Sequence, residues 1–404
     1  MGRGRIELRY AVTLAIMACV VAGVLPFGPT TMAVAASPTK IRWSDLRTSE
    51  GWDNSAIGYV AGANLWMRDF AQNSNGTYPF HPNLLESRKY FARAVVKAFA
   101  PNVRVDTSIS FADLPATDPF YRWMDVAVEK GWMSGNGAGA IGPDDPVVMS
   151  TVHRALVLAL GMGTTVQALN DLHTSDGVKI AVPYNFGTTL LGMQIGLRYD
   201  SAVTAQNVNP NSPMPRYQVA YSLFKAKKLD SWVVPWVEGN YAGIVLPHLG
   251  PARLAIVNWG VQFVGYPYIW AGEWGLKTPE PSGLGGQTTP GFDCSGLAWW
   301  LMRANDGGYW KVDPPRPYAG WSLPQRVAAD MASVGTKLNY AQLLPGDLMF
   351  FSSTGGEIDH VDVYIGDGFS LDSSGSPGGV TIMPVSDGWY RDHFKHGRSL
   401  LPLH

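Results

Sequence analysis

The sequence predicts an all-α array of three helical units followed by an α+β domain, and three observations carry that reading. Proline-marked turns recur between helical stretches through the first two thirds of the chain. A strand-like alternation of apolar and polar residues follows in the last third, and a cysteine stands there immediately before a helical run. Composition fits: 46% apolar residues and 15 Trp provide for large cores, and a formal net charge of −1 leaves no basic surplus to hold a phosphate backbone, which excludes nucleic acid as a partner.

The chain opens with Arg3, Arg5 and Arg9, an apolar run over 11–25 and the small-residue site Ala33-Val34-Ala35, the pattern of an export signal over 1–35. Pro26, Gly28 and Pro29 interrupt the apolar run below the roughly 20 residues that a spanning helix needs, so no membrane span is expected after its removal. Cys19 leaves with the signal; Met17 argues against its lipidation. Cys294 then remains as the single cysteine of a secreted protein, a thiol with no disulfide partner.

Three units follow, over 36–105, 106–163 and 164–230. Pro82 to Arg88 precedes a helical run over 89–99, and Pro210 to Arg216, with the same spacing, precedes one over 217–225. Between them Pro143 leads to Met149 and a run over 150–160, so Met149 takes the arginine's place. Upstream helices are expected over 55–70, 121–130 and 188–199. Each unit reads as helix, loop, Pro-marked turn, helix, a pattern that buries apolar faces between neighbours.

The middle unit, through Phe111-Ala112-Asp113, Tyr121, Ala127, Gly131, Gly135 and Ile141-Gly142-Pro143, resembles a surface-layer homology module. The first matches more weakly through Trp43-Ser44-Asp45 and Arg88, the third through Leu169-Asn170-Asp171 and Arg216. The resemblance implies a three-unit helical module that binds a secondary cell-wall polysaccharide, with Arg88 and Arg216 contacting an acidic group of the polymer. The alternative is a helical scaffold in which these arginines cap neighbouring turns.

Residues 231–250, rich in Trp, Val, Gly and Pro, read as a packed linker, and the second domain spans 251–404. A helical run over 252–264 stops at Gly265-Tyr266-Pro267-Tyr268-Ile269-Trp270, and a loop over 276–291 ends just before Asp293-Cys294-Ser295-Gly296. The run 295–303 has helical character, which sets Cys294 at the first turn, where amide N–H groups and the helix dipole favour a thiolate. A second short helix is expected over 324–333. Leu344-Pro345-Gly346-Asp347 opens a strand over 348–351.

A cysteine nucleophile needs a base and a group to orient that base. Among 8 His, His360 begins the alternating run His360-Val361-Asp362-Val363-Tyr364-Ile365, which puts His360 and Asp362 on one face. Gly366-Asp367-Gly368 reads as a hairpin turn, and Asp372 lies on the returning strand with a carboxylate for the histidine's other N–H; Asp362 and Asp367 are its rivals. His393 and His396, with only Asp392 beside them, make a poor metal-ligand set, so no metal and no cofactor is assigned.

Four of these motifs, at Tyr268, at Asp293-Cys294-Ser295-Gly296, at Leu344-Pro345-Gly346-Asp347 and at Asp359-His360-Val361, occur in the order and approximate spacing of the NlpC/p60 cell-wall peptidases, which the region from Pro251 onward resembles. The resemblance implies a papain-like α+β fold and hydrolysis of peptidoglycan stem-peptide amides, commonly between D-γ-glutamyl and the diamino acid. It makes Cys294 the nucleophile, His360 the general base and then acid, and Asp372 the orienting third member, a departure from the family's usual His, Asn or Gln. Tyr268 matches a tyrosine beside the cleft, and Asp293 and Ser295 match positions that hold the stem peptide's amine. The expected protein is a cell-wall-associated cysteine peptidase; a catalytically silent wall-binding protein, or an amidase or acyltransferase on the same fold, are the alternatives. Intact Cys294 and His360 favour the hydrolase.

Overall fold

The computed structural model describes residues 41–46, 55–104, 109–135, 137–199, 208–273, 290–303, 320–321 and 323–401. The export segment and most of the 276–291 loop lie outside them. Among the described residues no helix is long and apolar enough to cross a membrane.

The helical part contains α1 (Arg88–Phe99), α2 (Tyr121–Glu129), α3 (Met149–Ala159), α4 (Gly163–Asn170), α5 (Phe186–Gln194), α6 (Arg216–Lys227) and α7 (Val233–Tyr241). The first amide groups of a helix have no intrahelical acceptor, and none of α1, α3 and α6 has a side-chain cap. Carbonyls of another Pro-marked turn take that role instead. Arg88 and Lys89 donate to Asp145 and Pro143, Met149 and Ser150 to Ser212 and Pro210, and Arg216 and Tyr217 to Leu84 and Pro82. Ahead of each helix, Glu86 N–H donates to Met214, Met214 to Val147 and Val147 back to Glu86, which closes the three turns into a ring. Two of the upstream aspartates are equivalent as well: Asp45 accepts from the amides of Phe80 and His81, and Asp113 from those of Ile141 and Gly142. Asp171 has no such role and pairs with Lys179.

The ring gives the arginines a different task from the one expected of them. Arg216 is 1% exposed; its Nε donates to Phe80 O at 2.8 Å, Nη2 to Met67 O at 3.0 Å, and Nη1 sits 2.6 Å from Glu86 and 2.7 Å from Asp69. Arg88 repeats the first bond, Nε to Ile141 O at 2.8 Å, and also donates to Ser134 O. Both side chains staple one turn to the next; Arg216 is sealed from solvent and so does not meet a polymer, whereas Arg88 stays partly exposed beside the carbonyls it serves. Met149, at the equivalent place, is buried and packs near Gly265 of the C-terminal half.

Three helices end short of their sequence patterns, the one expected over 188–199 closing at Gln194. The first ends with a π-helical turn, Gly58–Ala63, followed by Asn64 and the left-handed Leu65. Over 324–333 only α10 (Ala328–Met331) forms.

The C-terminal half adds α8 (Pro251–Gly260), α9 (Cys294–Met302) and a six-stranded antiparallel sheet of β1 (Thr336–Leu338), β2 (Leu348–Phe351), β3 (His360–Gly366), β4 (Phe369–Ser374), β5 (Gly379–Pro384) and β6 (Phe394–Ser399), in the order β1-β6-β2-β3-β4-β5, with α11 (Gly388–His393) before the last strand. Asp347 is buried under Arg253, with Ser399 and the Leu344 amide donating to it, so the Leu344-Pro345-Gly346-Asp347 turn locks β2 to the C-terminal strand. α9 lies on β3 and β4 and is buried from Ser295 to Met302. Its Leu297, Leu301 and Met302 side chains contribute about 1.5–3 kcal/mol each by burial, which anchors its first turn against the sheet.

The two halves share one apolar core. Unpaired edge strands are exposed to further pairing, and here the helical half covers β5. Tyr241 donates to Ile382 O at 2.7 Å, Gln194 to Thr381 and Ile382, and Arg198 to Gly265 O. The 231–250 segment is therefore not a spacer: α7 within it seats Tyr241 on the sheet.

Candidate active site

Cys294 is the first residue of α9, half-buried and without a disulfide partner. Asp293 caps the helix, its Oδ1 accepting from the Gly296 amide at 2.5 Å. Gly296 is needed there because a Cβ would lie 1.9 Å from the Gly272 carbonyl oxygen, inside any possible contact. The start of the helix is pressed against the 269–273 segment, which also pairs with Phe292.

Arg326 fixes this corner. Its guanidinium reaches Glu273 at 2.9 Å, Asp293 at 3.0 Å, Ser295 Oγ at 2.9 Å and Gly272 O at 3.0 Å, and Arg326, Glu273, Asp293 and Ser295 are all buried residues. Asp293 and Ser295, the residues expected to meet a substrate amine, are thus already engaged by a buried cation. Arg326 and Glu273 were not singled out by the sequence. Arg326 lies in the coil where a helix was expected, and Glu273 borders the loop that was read only for its length.

Tyr268 stands beside Phe292 through a short parallel bridge. Burial pushes its hydroxyl up to about 12, with the charges of Cys294, Asp293 and Asp372 adding to the effect and His360 opposing it. It is a protonated hydrogen-bond donor at neutral pH, within electrostatic reach of Cys294 and His360.

His360 heads β3 with its side chain 14% exposed, walled by Phe351, Trp389 and Tyr390 at ring-centroid distances of 5.8, 6.4 and 6.4 Å. Its Nε2 lies 3.0 Å from Asp372 Oδ1 and 2.9 Å from Asp362 Oδ1. Both carboxylates are fully buried. Ser374 at 2.7 Å and Tyr390 at 3.0 Å donate to Asp372 Oδ2, and Ser370 at 2.7 Å donates to Asp362 Oδ2. Burial alone would lower the imidazole's pKa; the two carboxylates override it and hold the value well above the ordinary one. Burial also pushes Asp362 up to about 7, with the Asp372 charge adding to it, whereas Asp372, although buried, is held below its usual value by His360 and its hydroxyl donors.

Among the described residues, His360, Asp362 and Asp372 are also the group whose ligand-type atoms lie close enough together for a metal ion, within 4.8 Å. The Nε2–oxygen separations are ordinary N–H···O lengths, and an imidazolium between two carboxylates accounts for them. The alternation Ser370, Asp372, Ser374 on one face of β4 was a legible signal of this polar cluster. Tyr390 was not: it arrives from α11, outside the strand pattern. His393 and His396 lie apart from it, bonded to the carbonyls of Trp389 and Ala332.

Residues 279–399 match the NlpC/P60 family model, so the C-terminal part of the chain carries an NlpC/P60 family domain. The chain is similar to the peptidoglycan endopeptidase RipB of Mycobacterium tuberculosis, 34% identical over 122 residues that make up 30% of this chain and 43% of that one. It is also similar to the gamma-D-glutamyl-L-lysine dipeptidyl-peptidase of Bacillus cereus, 29% identical over 154 residues, 38% of each. A solved NlpC/P60 family protein from Bacillus cereus aligns over 38% of this chain and 42% of its own, at 28% identity and a TM-score of 0.29. The chain thus spans less than half the length of these relatives. Another similar protein, from Bacillus subtilis, is a bifunctional muramidase/DL-endopeptidase, whereas RipD of Mycobacterium tuberculosis, 26% identical over 38% of this chain at a TM-score of 0.27, is a non-catalytic NlpC/p60 domain protein.

Proposed function

We propose that the protein is a cysteine peptidase that hydrolyses an amide bond in the stem peptide of bacterial peptidoglycan, with Cys294 as nucleophile, His360 as general base and then acid, and Asp372 orienting the imidazole. What supports the reading is the pairing of His360 with buried carboxylates on the strands against which the cysteine's helix packs. Cys294 opens a helix packed on β3 and β4, and those strands present His360 with its Nε2 held by buried carboxylates. With Nε2 so engaged, Nδ1 is the nitrogen that serves the thiol.

The chemistry follows from these positions. An imidazolium stabilised by carboxylates favours a thiolate at Cys294, and the amide groups of the first helical turn add a positive field. Thiolate attack on the amide carbonyl produces an oxyanion, for which the Cys294 N–H and the protonated Tyr268 hydroxyl are donors. His360 then protonates the departing amine, and water, deprotonated by the same imidazole, releases the acyl group and restores the thiol. Export by 1–35 and attachment to the wall through the helical units belong to the same reading, with Arg88 a candidate polymer contact and buried Arg216 a structural staple.

Incubation of purified peptidoglycan with the protein is expected to release stem-peptide fragments, and mass spectrometry of the fragments reports the bond cut. Cys294→Ala is expected to release none. Binding of peptidoglycan without release by the native protein would favour the silent wall-binding alternative.

A further inference from the structure

The polar cluster behind His360 contains one carboxylate more than the reaction requires. Asp362 and Asp372 come from adjacent strands: Val363 pairs with Leu371, and one residue further along the same antiparallel register Asp362 faces Asp372. Like charges directly opposite one another oppose strand pairing, and both of these are 0–1% exposed. The arrangement holds because a cation lies between them. Nε2 of His360 is 2.9 Å from one Oδ1 and 3.0 Å from the other, and none of these three atoms makes a well-aligned hydrogen bond, so the single N–H is directed between two acceptors.

We infer that Asp362 is a second positioning residue for the imidazole, and that His360 works between a pair of buried aspartates joined across β3 and β4 instead of with a single orienting partner. This rests on the reading of His360 as the base. Three charges meet there, one positive and two negative, so the cluster keeps one additional proton up to about neutral pH. The hydroxyl donors decide where that proton resides. Asp372 accepts from both Ser374 and Tyr390 and stays ionised, whereas Asp362 accepts only from Ser370 and is the one that takes it. The titratable groups facing the imidazole are these two aspartates, Tyr390 from α11, and Cys294 and Tyr268 from the cleft side. Once Asp362 ionises, its charge adds to that of Asp372 in stabilising the imidazolium, which keeps His360 protonated to higher pH.

The test needs no substrate, so it is separable from the proposed hydrolysis. The rate at which iodoacetamide alkylates Cys294, followed by mass spectrometry of its peptide, is measured against pH in the native protein, Asp362→Asn, Asp372→Asn and the double variant. The His360 ring is titrated in parallel by carbon-13 NMR. Asp362→Asn is expected to lower the His360 pKa, and the alkaline limit of its support for the Cys294 thiolate with it, by about one to three pH units, the double variant by more than either single one. Ser370→Ala, a milder change that leaves both carboxylates in place, is expected to move it the same way by less. An unchanged His360 titration in Asp362→Asn, with the whole effect in Asp372→Asn, would overturn the inference. So would stoichiometric binding of zinc by the native protein that Asp362→Asn abolishes, because the carboxylates would then be ligands. Failure to cleave peptidoglycan with these shifts intact would count against the hydrolase reading alone.

Discussion

At Gly296 a single hydrogen in place of a methyl group decides whether the cysteine can stand where it does. Alanine there meets the Gly272 carbonyl at 1.9 Å, a backbone atom that cannot swing aside, with the Arg326 and Asp293 side chains closing the space at 2.8 and 2.9 Å. Gly296→Ala is expected to destabilise the protein by about 1–3 kcal/mol or more, read from the urea midpoint, and to slow alkylation of Cys294 as the first turn is displaced. The His360 cluster has its own signature in stability. His360 and Asp362 both hold protons more tightly when folded, so their contributions are complete below the unfolded values, about 6.5 and 3.9, and are lost as pH rises through the folded ones, about 7 for Asp362. Asp372 acts in the opposite sense, contributing above its unfolded value and losing that as pH falls. The melting temperature is therefore expected to decline from mildly acidic to alkaline pH, and Asp362→Asn to flatten the decline; an equally steep decline in the variant would remove Asp362 from its cause.

Elements were legible from the sequence where the local pattern also set the burial. β3 with its His360 and Asp362 face, β4 with Asp372, and the helix opening at Cys294 follow from alternation and from the small residues around the thiol. β6 was not legible, because Phe394-Lys395-His396-Gly397-Arg398-Ser399 alternates charged and small residues at a half-exposed position between β1 and β2. The 324–333 stretch has helical residues, yet Arg326 is held in extended coil by four buried hydrogen-bonding partners, a tertiary demand that propensity does not record. Its removal should be felt at a distance of one element. Arg326→Met leaves Asp293 and Glu273 buried without their cation, and the expected cost is about 3–5 kcal/mol, measured by denaturation. A variant as stable as the native protein would mean that the ion network is not what fixes the start of α9.

Across the whole molecule, the helical units and the sheet make one body, and the residues that join them were invisible to a reading that treated each half alone. Met149 interrupts the arginine pattern at the place where the ring meets Gly265, and Gln194, Arg198 and Tyr241 reach the sheet through main-chain acceptors that no motif announces. Arg216→Met leaves Asp69 to Arg93 alone and takes a donor from Glu86, whose carboxyl burial pushes up to about 8, and is expected to lower stability by about 1–3 kcal/mol. A variant of unchanged stability that no longer sediments with cell walls would return Arg216 to the polymer. The closed circuit of Glu86, Val147 and Met214 also bears on how such a protein is cut or rebuilt. Every turn lends carbonyls to both neighbours and borrows from both, so excising any single unit strands amides on both survivors, whereas a circular permutant that joins the units in rotated order keeps every pairing. Trimming the helical region to one repeat should yield an insoluble product, and rotation of the order a folded one.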